Sequence, residues 1–401
     1  MSATTESKPG RIACIDLIRG GVMILMAIDH ARVFAGVPAG GPTFGIFFTR
    51  WITHFCAPAF VFLAGTSAFL YGRRHAGLSR FLLIRGAWLV FLELSVLRLA
   101  WTFNFDFAHY EMAGVIWVIG CCMILMAGLV QLPLRALGIL GVAIIAGHNL
   151  MDPSMRTLVP SLGNDFVSAL WKIAYVGFFA GPISFGPDGP SLIVLYSVVP
   201  WIGVMAAGYA FGAILRLDPG RRNRLCRGIG LGAIVLFGAL RGFNLYGDPR
   251  HWAAVSANPG AAPGMPALLQ FLNTTKYPAS LCFLLMTLGP TIAIIPLLER
   301  ARGGLARPIS LFGRVPFFFY VLHIPLIHTL ALLVSRLTRG HVSPWLFTNH
   351  PMGNPPPPAG YAWGLGTLYL TWAVAIVLLY FACKWFAEVK ARRTDWWLRF
   401  L

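Results

Sequence analysis

Arg19–His30 reads RGGVMILMAIDH, a guanidinium and an imidazole eleven positions apart with Asp29 beside the latter, inside an apolar run from 12 to 36. The run is long enough to cross a bilayer as a helix. Ionisable side chains in hydrocarbon cost several kcal/mol unless they face a protein interior or a wet cavity. Eleven residues turn a helix by about 1100°, or about 20° net, so both groups project from one face roughly 16 Å apart. The spacing predicts a functional pair bridging about half of a ~30 Å hydrocarbon core. A structural reading stays open beside it: Arg19 paired with Asp16 one turn earlier, and Asp29, His30 and Arg32 as a polar cap.

The rest of the chain continues the apolar character. Of its 401 residues, 57% are hydrophobic and 11% charged, and mean hydropathy is +0.70, outside the range of a soluble domain. Nine further runs, at 45–71, 81–100, 113–131, 134–150, 191–215, 226–244, 278–298, 309–336 and 363–387, bring the expected transmembrane helices to ten. The fold class expected is all-α, a polytopic integral membrane protein. Positive residues collect in short cytoplasmic loops. With the N-terminus inside, 21 of the 32 Lys and Arg fall on the cytoplasmic side and 9 outside, leaving Arg19 and Arg32 in the first span. Both termini are then cytoplasmic, with tails at 1–11 and 388–401 on a single membrane domain, 1–401.

The net charge of +18 is dispersed over alternate loops. That pattern fits membrane topology and anionic lipid better than nucleic acid. The seven cysteines lie in or beside apolar runs without metal-ligand spacing, so they are expected to pack and no metal is predicted. One stretch, FVSALWKIAYVGFFAG at 166–181, could lie in the interface, re-enter or span. A lone extra span would put the Arg216 to Arg227 cluster outside, so an interfacial or re-entrant helix is expected.

His30 falls near the outer end of the first run. An imidazole there suits removal of a proton from an attacking hydroxyl or amine, and it can also carry an acyl group itself. Arg19, nearer the inner end, suits the phosphates of a cytosolic donor. In the second run Arg50 and His54 share a face one turn apart. Glu93 falls at mid-depth in the third, where a carboxylate needs Arg, His or a proton; it could orient a histidine or pair with Arg19 or Arg98. Tyr320 and His323 share a face in the ninth run. The loop WTFNFDFAHYEM, 101–112, mixes aromatic side chains with Asp106, His109 and Glu111, a composition for stacking on a sugar or for a membrane interface. HExxH, GxSxG, the P-loop and the dinucleotide glycine fingerprint are missing. A transporter or lipid-linked exporter, in which Arg19 and His30 bind an anion or relay protons, is the principal rival to an enzyme, and a non-catalytic anchor the second.

The chain resembles the transmembrane acyltransferases related to heparan-α-glucosaminide N-acetyltransferase, in their bacterial branch. The carriers are RIACIDLIRGGVMILMAIDH (11–30), THFCAPAFVFLAGTSAFL (53–70), GVIWVIG (114–120), PWIGVMAAGYAFG (200–212) and LFGRVPFFFYVLHIPLIH (311–328). Arg19 and His30 are also similar to the Arg, ten residues, His pattern of the acyltransferase-three group. The resemblance implies His30 as catalytic base and Arg19 as support for the site or the acyl donor. It implies transfer of an acetyl group from cytosolic acetyl-CoA to an extracytoplasmic sugar or glycan, and a bacterial inner-membrane location. The first outer loop, 37–49, holds no histidine, where the animal enzymes keep their active-site one.

Overall fold

The computed structural model describes residues 13–40, 43–186, 189–252, 265–301, 303–352, 354–393 and 395. The expected tail 1–11 lies outside these residues, as do Arg302 and, of the other tail, 394 and 396–401. The part of that second tail up to Arg392 is instead the end of a helix.

The ten apolar runs are built mainly as helix. In chain order the helices are α1 (Ala13–Phe34), α2 (Phe44–Gly72), α3 (Leu78–Leu92), α4 (Val115–Leu129), α5 (Leu134–Ser161), α6 (Phe166–Ala180), α7 (Val198–Ile214), α8 (Pro219–Gly242), α9 (Ala267–Leu272), α10 (Leu281–Leu298), α11 (Ala306–Arg314), α12 (Pro316–Arg339) and α13 (Leu365–Arg392). Six of them, α2, α5, α8, α10, α12 and α13, are long and apolar enough to cross a membrane by length and composition.

Two runs depart from a continuous helix for local reasons. In 309–336, Pro316 disfavours the helical conformation of the residue before it, and Val315 (φ −128°, ψ 50°) separates α11 from α12. In 191–215, helix starts only at Val198. Before it, β3 (Ser191–Val194) pairs parallel with β1 (Glu111–Ala113), Met112 opposite Ile193, and antiparallel with β2 (Ile183–Ser184), Ile183 opposite Leu192. Stretch 166–181 holds the 15-residue α6, capped by Asp165, whose carboxylate accepts the amides of Val167 and Ser168 at 3.0 Å. At about 1.5 Å per residue it falls short of a bilayer.

α1 lies inside the bundle, packed against α2, α11, α12 and α13, and Trp372 of α13 donates its indole N–H to the Ile24 carbonyl at 2.9 Å. This placement lets a helix with five ionisable residues exist among apolar neighbours. Lipid tails give helices no hydrophobic reason to associate, so close backbone approach at small residues holds them together. A Cβ on Gly65 would stand 2.0 Å from the Met205 carbonyl oxygen, and one on Gly208 2.1 Å from that of Phe62. Thr66 also donates to the Gly208 carbonyl at 2.9 Å across the α2–α7 seam.

α3 runs through a π turn (Glu93–Leu97) into one last helical turn (Arg98–Thr102). Arg98 then ties down the following loop, donating to the Tyr110 carbonyl at 3.1 Å, to the Asn104 side chain at 2.7 Å and to the Asn104 and Asp106 carbonyls. Asn349 joins that loop to the segment after α12 through the Asp106 carboxylate, 2.9 Å away.

On β1, burial pushes the Glu111 carboxyl up to about 7 against the pull of Arg98, and its Oε2 has no partner among the described residues. The folded state therefore holds this proton more tightly than the unfolded chain. Its stabilising contribution is full below the ordinary glutamate range and is lost as pH rises through about 7. Glu111→Gln should leave the melting temperature unchanged at pH 4 and raise it relative to the parent at pH 8; a difference independent of pH would refute the assignment.

Candidate active site

The C-terminal end of α1 turns Asp29 and His30 toward a cavity of about 1290 Å³. Asp29 is clamped on both oxygens: Oδ1 accepts from Arg32 Nε and Oδ2 from Arg50, each at 2.8 Å. Arg32 in turn donates to the Val37 carbonyl at 2.7 Å, and Arg50 to the Tyr277 hydroxyl at 3.4 Å. With both oxygens engaged by guanidinium groups, Asp29 holds structure and charge in place.

His30 meets His323, with Nδ1 of the first 2.6 Å from Nε2 of the second. The other nitrogen of His323, Nδ1, is 2.5 Å from the Tyr320 carbonyl, which can only accept. For the neutral pair this fixes the protons. His323 Nδ1–H donates to Tyr320, its Nε2 accepts from His30 Nδ1–H, and the lone pair of His30 is left on Nε2. Rings lock the orientation: Trp101 stands edge-on to His30 at 4.7 Å between centroids, and Phe319 stacks on His323 at 5.4 Å. His30 lines the cavity, and His323, fully buried, stands behind it.

Asp29, His30, Arg50, His54, Glu93 and Tyr320 all line this one cavity, although they come from four separate stretches of sequence. Arg50 and His54 reach it across a 3-10 turn (Ile52–Phe55). Three positions beyond that turn's end, Pro58 has no N–H to offer the His54 carbonyl, so the regular i→i−4 bond is missing there before the helix resumes. Glu93 accepts the Trp117 amide at 3.0 Å, at the N-terminus of α4, where a carboxylate satisfies orphan donors and the helix dipole. It makes no ion pair with Arg19 or Arg98 among the described residues and no hydrogen bond to a histidine. Arg19 lies elsewhere: its guanidinium donates to the Ser67 hydroxyl and to the Leu63 carbonyl, and it is not among the lining residues.

Of the aromatic loop 101–112, Trp101 and Met112 line the cavity; Asp106 and His109 pair with each other at 2.6 Å on an exposed turn. α6 contributes Tyr175, Val176, Phe178 and Phe179 as a roof. Lys276, Tyr277 and His350 also line it and carried no sequence signal. Lys276 follows Asn273-Thr-Thr, a stretch readable only as a weak glycosylation acceptor. The mouth lies among the long loops, at Pro38 to Gly40, Arg156, Pro351 and Pro357, and the cavity's inner end is at Glu93, Trp101 and Tyr320. Among the described residues no cluster of three or more His, Cys, Asp or Glu is placed to hold a metal ion.

A membrane bundle with an oriented imidazole at the end of a cavity has the parts for group transfer, and the sequence comparison names the group. Residues 11–240 match the model of a family described as heparan-alpha-glucosaminide N-acetyltransferase, catalytic. The chain is thus a transmembrane acetyltransferase, and it belongs to the heparan-α-glucosaminide N-acetyltransferase family. No curated protein matches it. The matched region supplies Asp29, His30, Arg50, His54 and Glu93, whereas Lys276, Tyr320 and His323 lie beyond it.

Proposed function

We propose that the protein moves an acetyl group from cytosolic acetyl-CoA to a hydroxyl or amine of an extracytoplasmic glycan, with His30 as general base. The observation that carries this reading is the His30–His323 hydrogen bond, which leaves a basic lone pair on His30 Nε2. In the step proposed, Nε2 takes the proton of the acceptor O–H or N–H as that atom attacks the thioester carbonyl. The tetrahedral intermediate then expels the CoA thiolate, which takes the proton from the imidazolium. The neighbouring Asp29 carboxylate favours the transient positive charge and offsets part of the repulsion from Arg32, Arg50 and Lys276. At about 1290 Å³ the cavity exceeds the ~300–1,000 Å³ of a usual single-ligand site, leaving room for an acceptor and the thioester arm together.

Ten spans with both termini in the cytoplasm complete the proposal, and they put the mouth of the cavity on the extracytoplasmic side, where the glycan is. Arg19 then lies on the donor side. Because it is bound to Ser67 and the cavity ends short of it, passage of the thioester arm requires α1 and α2 to part at that level. The test is thiol release from acetyl-CoA by the purified protein in proteoliposomes offered a panel of simple sugars. Release that depends on the sugar supports the reading. Counterflow of labelled sugar without any thiol release would replace it with transport.

A further inference from the structure

Glu93 opens the π turn that ends α3, is 2% exposed and lines the inner end of the cavity. One of its oxygens, Oε2, accepts the Trp117 amide at 3.0 Å. The other, Oε1, stands beside Gly114, where a Cβ would come within 2.6 Å of it, so the glycine is what leaves that oxygen room. Gly114 lines the cavity as well. Among the described residues no Lys, Arg or His is within ion-pair distance of Glu93.

A carboxyl group without a cation beside it is costly in an apolar bundle. The N-terminus of α4 supplies the equivalent of about half a positive charge, which does not balance a whole negative one. Oε1 is therefore the place for a proton. Capping alone does not account for an acid here, because the oxygen of a neutral amide side chain would accept the Trp117 N–H equally well. A π turn adds a residue to a helix and recurs at functional sites, and this one begins at Glu93 itself.

We propose that Glu93 is a second catalytic residue, the acid that protonates the sulfur of the departing CoA. The inference rests on the function proposed above. A thioester arriving from the cytoplasmic side brings its carbonyl to His30 with the CoA arm trailing behind, so its sulfur lies on the inner side of His30. Trp101 covers that stretch, edge-on to His30 at 4.7 Å and lining the inner end together with Glu93. As the tetrahedral intermediate collapses, the C–S bond breaks, its electron pair goes to sulfur, and the Glu93 O–H proton follows it. The His30 imidazolium then returns the acceptor's proton to the Glu93 carboxylate across the cavity. The thiolate thus receives the imidazolium proton by way of Glu93, and acceptor plus thioester have become acetylated acceptor plus thiol.

Two acetyl donors separate an acid from a helix cap: acetyl-CoA, and S-(4-nitrophenyl) thioacetate, whose acidic thiol leaves as a stable anion. Glu93→Gln, which keeps an oxygen for the Trp117 amide, should lower kcat with acetyl-CoA by about 10²-fold or more with KM little changed. With the nitrophenyl donor the same variant should lose less than about tenfold. Equal losses with both donors overturn the acid, since a displaced cap slows every donor alike. If Glu93→Gln does not melt as the parent does, the parent decides. With Glu93 supplying the proton, its kcat should depend weakly on the acidity of the leaving thiol across a series of acetyl thioesters, and a steep rise with thiol acidity would overturn the proposal. A donor-dependent loss found in Tyr320→Phe and not in Glu93→Gln would give the proton to that phenol and overturn Glu93 as well. No thiol release from acetyl-CoA by the parent would refute acetyl transfer and this inference with it, whereas release with equal losses refutes the acid alone.

Discussion

If His30 is the general base proposed, His30→Ala should lower sugar-dependent thiol release by about 10²–10⁴-fold in kcat, while detergent-solubilised protein should melt as the parent does. The size follows from the arrangement around the ring. His30 Nε2 is made basic by a fixed tautomer, and that tautomer is set by the hydrogen bond from Nδ1 to His323, itself fixed by the Tyr320 carbonyl. In the mechanism proposed, His323 is a positioning residue. His323→Ala should lose about 10²-fold or more, because nothing then selects the productive tautomer, as removal of an orienting partner does in hydrolytic triads. His323→Gln, whose amide oxygen can accept from His30 Nδ1–H, should recover part of that loss. A purely structural His323 would show no such recovery in kcat. Parent-like turnover in His30→Ala would dispose of the base altogether.

Adjacent glycines in α1 should respond in opposite ways. A Cβ on Gly20 would lie 1.8 Å from the Ile309 carbonyl oxygen of α11, whereas one on Gly21 meets nothing within 4 Å. The obstacle at Gly20 is backbone, which no rotamer change can move aside. Gly20→Ala should therefore destabilise by about 1–3 kcal/mol or more, the range of overpacking, and lower the yield of monodisperse protein. Gly21→Ala should be neutral or slightly stabilising, since alanine favours helix by about 1 kcal/mol over glycine. Melting of the two variants in one detergent checks both; equal behaviour would mean that α1 and α11 do not meet at Gly20.

The helices could be read from hydropathy because each apolar run had to satisfy its backbone internally. The same rule made a buried ionisable residue conspicuous, which is why Asp29, His30, Arg50, His54, Glu93 and Tyr320 could be named before their meeting in space was visible. Arg19 shows where periodicity stops informing. It shares a helix face with His30, but some 16 Å down the axis the neighbour is Ser67 rather than the cavity. Lys276 and His350 sit on loops whose positions depend on the packing of helices far along the chain, and no local pattern announces them. The strand at 191–194 was hidden because a short apolar run reads alike in strand and helix.

The π turn at Glu93–Leu97 gives this site an unusual vulnerability to changes in length. One added residue in a helix rotates everything beyond it by about 100°. Arg98, which fastens the loop after it, and Trp101, which braces His30, both lie past that point. Each could be exchanged for a chemically similar residue with local effect. Loss of a single residue from the regular helix before Glu93, with the π turn kept, would swing both away together. Along this segment the register of the helix, more than the identity of any one side chain, sets where both groups stand.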